Sequence, residues 1–171
     1  YSGDMRAPCV QPALTLTRSD ASAESHGMQI ALRPNRALTI AKPAGTLAND
    51  VMIASLVYRA TAVADAAPSG WTLVRRTQTA GSILATYRRT AGASEPTQYI
   101  WDMGTSTGAT IAIQSFSGVD PANPIDVENG QTTASGYAHA TPSITTTVAN
   151  TMLVASHGIY ASGPWTPPAG M

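Results

Sequence analysis

An internal repeat constrains this chain more than any other feature. Leu47-Ala48-Asn49-Asp50-Val51-Met52-Ile53-Ala54-Ser55 aligns position by position with Val148-Ala149-Asn150-Thr151-Met152-Leu153-Val154-Ala155-Ser156. Further on, Pro68-Ser69-Gly70-Trp71 aligns with Pro168-Ala169-Gly170-Met171. Self-similarity of this kind marks two units that bury their apolar faces together. The first copy continues into apolar-polar runs from Trp71 to Arg76 and from Ser82 to Arg89, whereas the second is cut at Met171. A copy broken there predicts incomplete C-terminal strands and an open sheet.

With 171 residues, the chain is long enough for one domain with a core of its own. Hydrophobic residues make up 43% of it but aromatic residues only 6%, so Ile, Val, Leu, Met and Ala are expected to build most of the core. Charged residues reach 12%, against roughly 25% in ordinary globular domains. The surface is then largely Thr, Ser, Asn, Gln and Gly, which suits an extracellular or assembled protein. Ten basic residues balance ten acidic ones, with no cluster beyond Arg75-Arg76 and Arg88-Arg89, which argues against a nucleic acid partner. No apolar run reaches the roughly 18 residues of a membrane span. The single cysteine, Cys9, excludes an internal disulfide and reads as a spectator thiol.

Residues 1–27 are poorly patterned and read as an N-terminal arm or linker, with one alternating stretch, Leu14-Thr15-Leu16-Thr17. From residue 28 to 171 strand candidates come regularly: Met28 to Leu32, Leu38 to Ala41, Val51 to Tyr58, Trp71 to Thr77, Ile83 to Arg89, Gln98 to Asp102, Thr110 to Phe116, Ile144 to Thr147 and Met152 to Tyr160. Turn formers separate them, among them Lys42-Pro43-Ala44-Gly45 and Ala67-Pro68-Ser69-Gly70. The Ala-rich stretch from Ala60 to Ala67 has room for one short helical turn before Pro68 stops it. Short strands at this spacing, without a βαβ rhythm, predict an all-β, antiparallel β-sandwich of jelly-roll type. The uninterrupted apolar content of Val51 to Tyr58 places that strand at the centre of its sheet.

Several segments carry a resemblance: Lys42-Pro43-Ala44-Gly45 through Ala54, Pro68-Ser69-Gly70-Trp71 through Arg76, Tyr87-Arg88-Arg89 through Pro96, Phe116-Ser117-Gly118-Val119-Asp120, and Thr166-Pro167-Pro168-Ala169-Gly170. In these the chain resembles a β-sandwich module of phage minor structural and tail-fibre proteins and of large secreted bacterial surface proteins. The resemblance implies a structural or adhesive role, brings no catalytic residues with it, and implies further strands after the last of those segments.

Candidate chemistry is sparse. Asp120, Asn123 and Asp126 could converge on a hard cation, but an Asx-turn loop explains the same residues and three ligands fall short of calcium's six to eight. His26, His139 and His157 have no cysteine or acidic partner at ligand spacing, so no metal site is expected. No nucleophile elbow, phosphate loop or dinucleotide fingerprint occurs. Trp71 and Trp101 read as core. Tyr87, Tyr99 and Trp101 have the parity of a sugar-stacking strip if they face outward. Trp165, between Gly163-Pro164 and Thr166-Pro167, is the best candidate contact residue, with Tyr137 and His139 second.

These readings favour a non-enzymatic structural subunit of a phage particle or an extracellular fibre or surface assembly, located on a virion or cell surface and needing no cofactor. Its expected partners are further copies of itself or other structural subunits. Met152, Val154 and His157 of the second copy form the expected open edge, with Leu14 and Leu16 of a neighbour's arm as the donated strand. The alternative is a carbohydrate-binding adhesion module acting on a surface glycan through Trp165 and Tyr137. A secreted hydrolase using Asp120, Asp126 or Glu95 comes third.

Overall fold

The structure, a computed structural model, describes residues 36–60, 62–104, 106 and 108–159. Met28 to Leu32 and the arm therefore lie outside the described residues. Six strands form: β1 (Ala37–Ala41), β2 (Val51–Tyr58), β3 (Thr72–Gln78), β4 (Ile83–Thr90), β5 (Gln98–Asp102) and β6 (Ala109–Phe116). All pairings are antiparallel, in a four-stranded sheet ordered β3-β4-β2-β6 and a two-stranded sheet of β1 and β5. The domain is all-β, and no helix occurs among the described residues.

Strand β2 is central, as its apolar run demands. It pairs along its full length with β4, from Val51 opposite Thr90 to Tyr58 opposite Ile83, and with β6, from Val51 opposite Phe116 to Tyr58 opposite Ala109. Met52, Ala54, Leu56 and Tyr58 face the core beside Ile83, Ala85 and Tyr87 of β4. Burial of side chains as large as Met52, Leu56 and Tyr58 contributes roughly 1.5–3 kcal/mol each. Trp71 and Trp101 pack with ring centroids 5.2 Å apart, and Tyr99 meets Trp71 edge-on at 5.1 Å. This aromatic group ties β5 to the core face of the larger sheet. Tyr87, Tyr99 and Trp101 are thereby buried, so they form no outward sugar-stacking strip.

A bulge at Val74 decides what the two adjacent arginines do. Leu73 pairs with Tyr87 and Arg75 with Thr86, so one extra residue sits between them and the side-chain alternation shifts. Arg76 then shares the face of Ala85 and turns toward the core, while Arg75 turns to the opposite face and pairs with Glu128. The turn before β3 depends on Gly70, whose φ of +86° is one that other residues adopt only with strain.

Two predicted strands are not strands. Ile144 to Thr147 is diverted because the Thr147 amide and hydroxyl both donate to the Asp126 carboxylate, the amide at 2.8 Å. Residues 152–159 join neither sheet; Ser156 and Gly158 lie against a face of the large sheet and not beside one of its edges. The short helical turn expected between Ala60 and Ala67 is also replaced. There the chain crosses from the large sheet to the small one, with Ala66 bridged to Asp102 of β5.

Candidate functional site

The crossing loop is held by a buried carboxylate that the sequence reading passed over. The Asp65 side chain is 0% exposed and accepts hydrogen bonds from the hydroxyls of Tyr58 and Tyr87 and from Arg76 Nη2, the last at 3.0 Å to both oxygens. Burial opposes its charge, but these donors outweigh burial and hold its pKa below the usual aspartate value. Burial and then the bond to Asp65 push both tyrosines up, so they remain protonated donors. A second carboxylate is equally engaged. Glu95 takes a fork from Arg89 at 2.9 Å to each oxygen, the Tyr99 hydroxyl at 2.6 Å and the Gly92 amide at 2.6 Å. Burial again works against the charge, yet the donors push the Glu95 pKa down to about 2. Both carboxylates are fixed as anions in closed networks. Neither is poised to exchange a proton near neutral pH.

The remaining acidic candidates are occupied by their own loops. Asp120 Oδ1 accepts from the Ala122 amide at 2.9 Å, which is the Asx turn, and Asp126 is held by Thr147. Among the described residues no three His, Cys, Asp or Glu side chains cluster as metal ligands, and no helix is long and apolar enough to cross a membrane.

The repeat gives the molecule its most distinctive surface. Asn49 and Asn150, equivalent in the two copies, both take positive φ, 70° and 60°, so both copies open with the same left-handed turn residue. Beyond the turns the second copy lies over the first. Ser156 Oγ is 2.6 Å from Ser55 Oγ, and a Cβ on Gly158 would come within 2.8 Å of Val57. Both contacts join equivalent positions, so residues 156–158 run in the same direction as β2 and in register with it. The contact uses the face of β2 turned away from the core. Val51 and Ile53, on that same face, are buried as well, so β2 is covered on both faces at its start, while the contacted Ser55 and Val57 are half-buried.

The core positions of the first copy have counterparts in the second. Leu153, Ala155, His157 and Ile159 are the equivalents of Met52, Ala54, Leu56 and Tyr58. In the first copy those positions are core; in the second Leu153 is 61% exposed. Met152 is 71% exposed and Val154 43%. From residue 129 to 159 there is no Asp, Glu, Lys or Arg. Where Ile159 meets the ends of β2, β4 and β6, an open depression of about 450 Å³ forms, with Arg59 its one charged lining residue.

Met152, Val154 and His157 all lie on this exposed copy. Tyr137 is fully exposed, and the neighbouring His139 is half-buried with Nδ1 2.6 Å from Thr133 Oγ1. Their loop is closed by Gln131 Nε2 donating to the Ala140 carbonyl. Trp165, Leu14 and Leu16 lie outside the described residues. No family model, curated protein or solved structure matches this chain.

Proposed function

We propose that the chain is a non-enzymatic structural subunit of a phage particle or of an extracellular fibre or surface assembly, joined to its neighbours through residues 144–159. The observation that carries this reading is the contiguous exposure of Met152, Leu153 and Val154 within a stretch free of charge. Apolar surface of that kind marks an interaction site, and a strand-like segment without charged gatekeepers is prone to accept another strand. Two antiparallel sheets sharing one core support a β-sandwich of jelly-roll type as the completed fold. The closed networks around Asp65 and Glu95 fit a scaffold whose ionisable groups hold loops in place.

A second reading, a carbohydrate-binding module, draws on the full exposure of Tyr137 beside His139, with Trp165 as its proposed companion. Light scattering and negative-stain microscopy of the purified chain, read beside a glycan array, separate the two. Ordered oligomers with no glycan signal support the structural role. A monomer whose glycan binding is lost in Tyr137→Ala or Trp165→Ala supports the module.

A further inference from the structure

We propose that Asn129 is a site of spontaneous covalent modification, at which the Gly130 amide closes on the Asn129 carboxamide and water reopens the ring as aspartate or isoaspartate. The site is independent of the assembly role proposed above. Three observations converge on it.

The first is sequence. Of Asn35, Asn49, Asn123, Asn129 and Asn150, only Asn129 precedes glycine. The backbone nitrogen that follows an asparagine reaches Cγ only where its own residue leaves room, and glycine has no Cβ to obstruct the approach. Asn123 precedes Pro124, whose nitrogen has no hydrogen to give up. Asn150 precedes the stiff, β-branched Thr151. Asn49 precedes Asp50, whose amide donates to the Leu47 carbonyl at 3.2 Å.

The second is geometry. The Gly130 amide donates to Asn129 Oδ1 at 2.9 Å, so its nitrogen already touches the group that it attacks. With a C=O bond of about 1.2 Å, that nitrogen lies no further than about 4 Å from Cγ. The third is the surroundings. Asn129 is exposed in irregular chain, open to water and base. On either side the backbone is anchored to one strand: Glu128 takes a fork from Arg75, and a Cβ on Gly130 would come 2.5 Å from Arg75 Cδ. The two anchors hold nucleophile and electrophile together.

The Gly130 amide loses its proton to solvent base, its nitrogen bonds to Cγ, and the carboxamide C–N bond breaks as ammonia leaves. Water then opens the succinimide, at Cγ to give aspartate or at the backbone carbonyl to give isoaspartate. One water is consumed for each ammonia released. The product places a negative charge in residues 129–159, which otherwise carry no Asp, Glu, Lys or Arg, and sets it beside the Arg75–Glu128 pair.

The folded full chain, held at mildly alkaline pH and followed by peptide mapping and an enzymatic isoaspartate assay, tests the site. The peptide carrying Asn129 is expected to convert at least about 10-fold faster than those carrying Asn49 or Asn150. Asn129→Gln, which must close a larger ring, is expected to remove the acidic species. A urea-unfolded sample run in parallel separates the folded site from the dipeptide alone. Conversion of Asn129 only in urea overturns the proposal, as does an Asn129 that stays intact in both samples. Acidic species that persist undiminished in Asn129→Gln overturn it as well.

Discussion

Replacing Asp65 by Asn tests whether the crossing loop is held by charge. The substitution keeps the shape of the side chain but exchanges one acceptor oxygen for a donor, which in either orientation faces both a tyrosine hydroxyl and Arg76 Nη2. The Asp65 side chain is 0% exposed and that of Arg76 23%, so the pair is largely removed from water. Breaking a buried pair by removing one partner costs about 3–5 kcal/mol because the other charge is left uncompensated. Arg76 keeps some contact with solvent, so the lower end, about 3 kcal/mol, is expected. That is a large share of the roughly 5–15 kcal/mol that holds a domain together. Urea denaturation at pH 7 measures it, followed both by circular dichroism and by tryptophan fluorescence so that coincident curves establish a two-state transition. Asp65→Asn combined with Arg76→Met removes the orphaned charge as well. The double variant is expected to be more stable than the sum of the single effects by at least about 1.5 kcal/mol. A single-variant loss under about 1 kcal/mol, or strict additivity, would show that hydrophobic packing alone holds the loop.

Two further predictions follow from the same chemistry. Asp65 and Glu95 have folded-state pKa values below their ordinary ones, so each contributes stability above its unfolded pKa and loses it as pH falls through the folded value. Acid unfolding is therefore expected to steepen between the ordinary glutamate value of 4.5 and about 2, and Glu95→Gln to flatten that limb; an unchanged acid limb in the variant would refute the assignment. Gly70→Ala forces a side chain into a φ of +86° and sets a Cβ 1.8 Å from Arg89 Nη1, displacing the guanidinium from Ser69 and Glu95. A loss of about 2 kcal/mol is expected by denaturation, and a loss below about 0.5 kcal/mol would mean that the turn relaxes freely.

Where alternation and apolar content decide structure, the sequence is informative. Val51 to Tyr58 and Gln98 to Asp102 have the predicted bounds, because turn formers flank them and their large side chains suit a pleated surface. Trp71 and Trp101 are core, as a chain poor in phenylalanine requires. The Asp65 cluster was not legible because it depends on the Val74 bulge. Without that extra residue Arg75 would occupy the core-facing position of Arg76, and no local pattern announces the shift. A lone aspartate in an Ala-rich loop after a tyrosine-ended strand was the available signal. The repeat showed that residues 148–156 share the first copy's preferences, and Asn150 does repeat the left-handed turn residue of Asn49. It did not show that the second copy would stack on the first through equivalent faces. Strand propensity gives the extended form, whereas the ladder needs a neighbour that propensity cannot supply.

The central claim is that in-register stacking, and it has a direct chemical test. Ser55→Cys with Ser156→Cys, in a Cys9→Ser background, places two thiols where hydroxyl oxygens now stand 2.6 Å apart. Ala54→Cys with Ala155→Cys places one in the core and the other at an exposed position. Mild oxidation of dilute protein, read by mass spectrometry of proteolytic fragments, is predicted to link the first pair within one chain and to give no intrachain link in the second. A first pair that stays reduced, or an intrachain link in the second, would contradict the stacking.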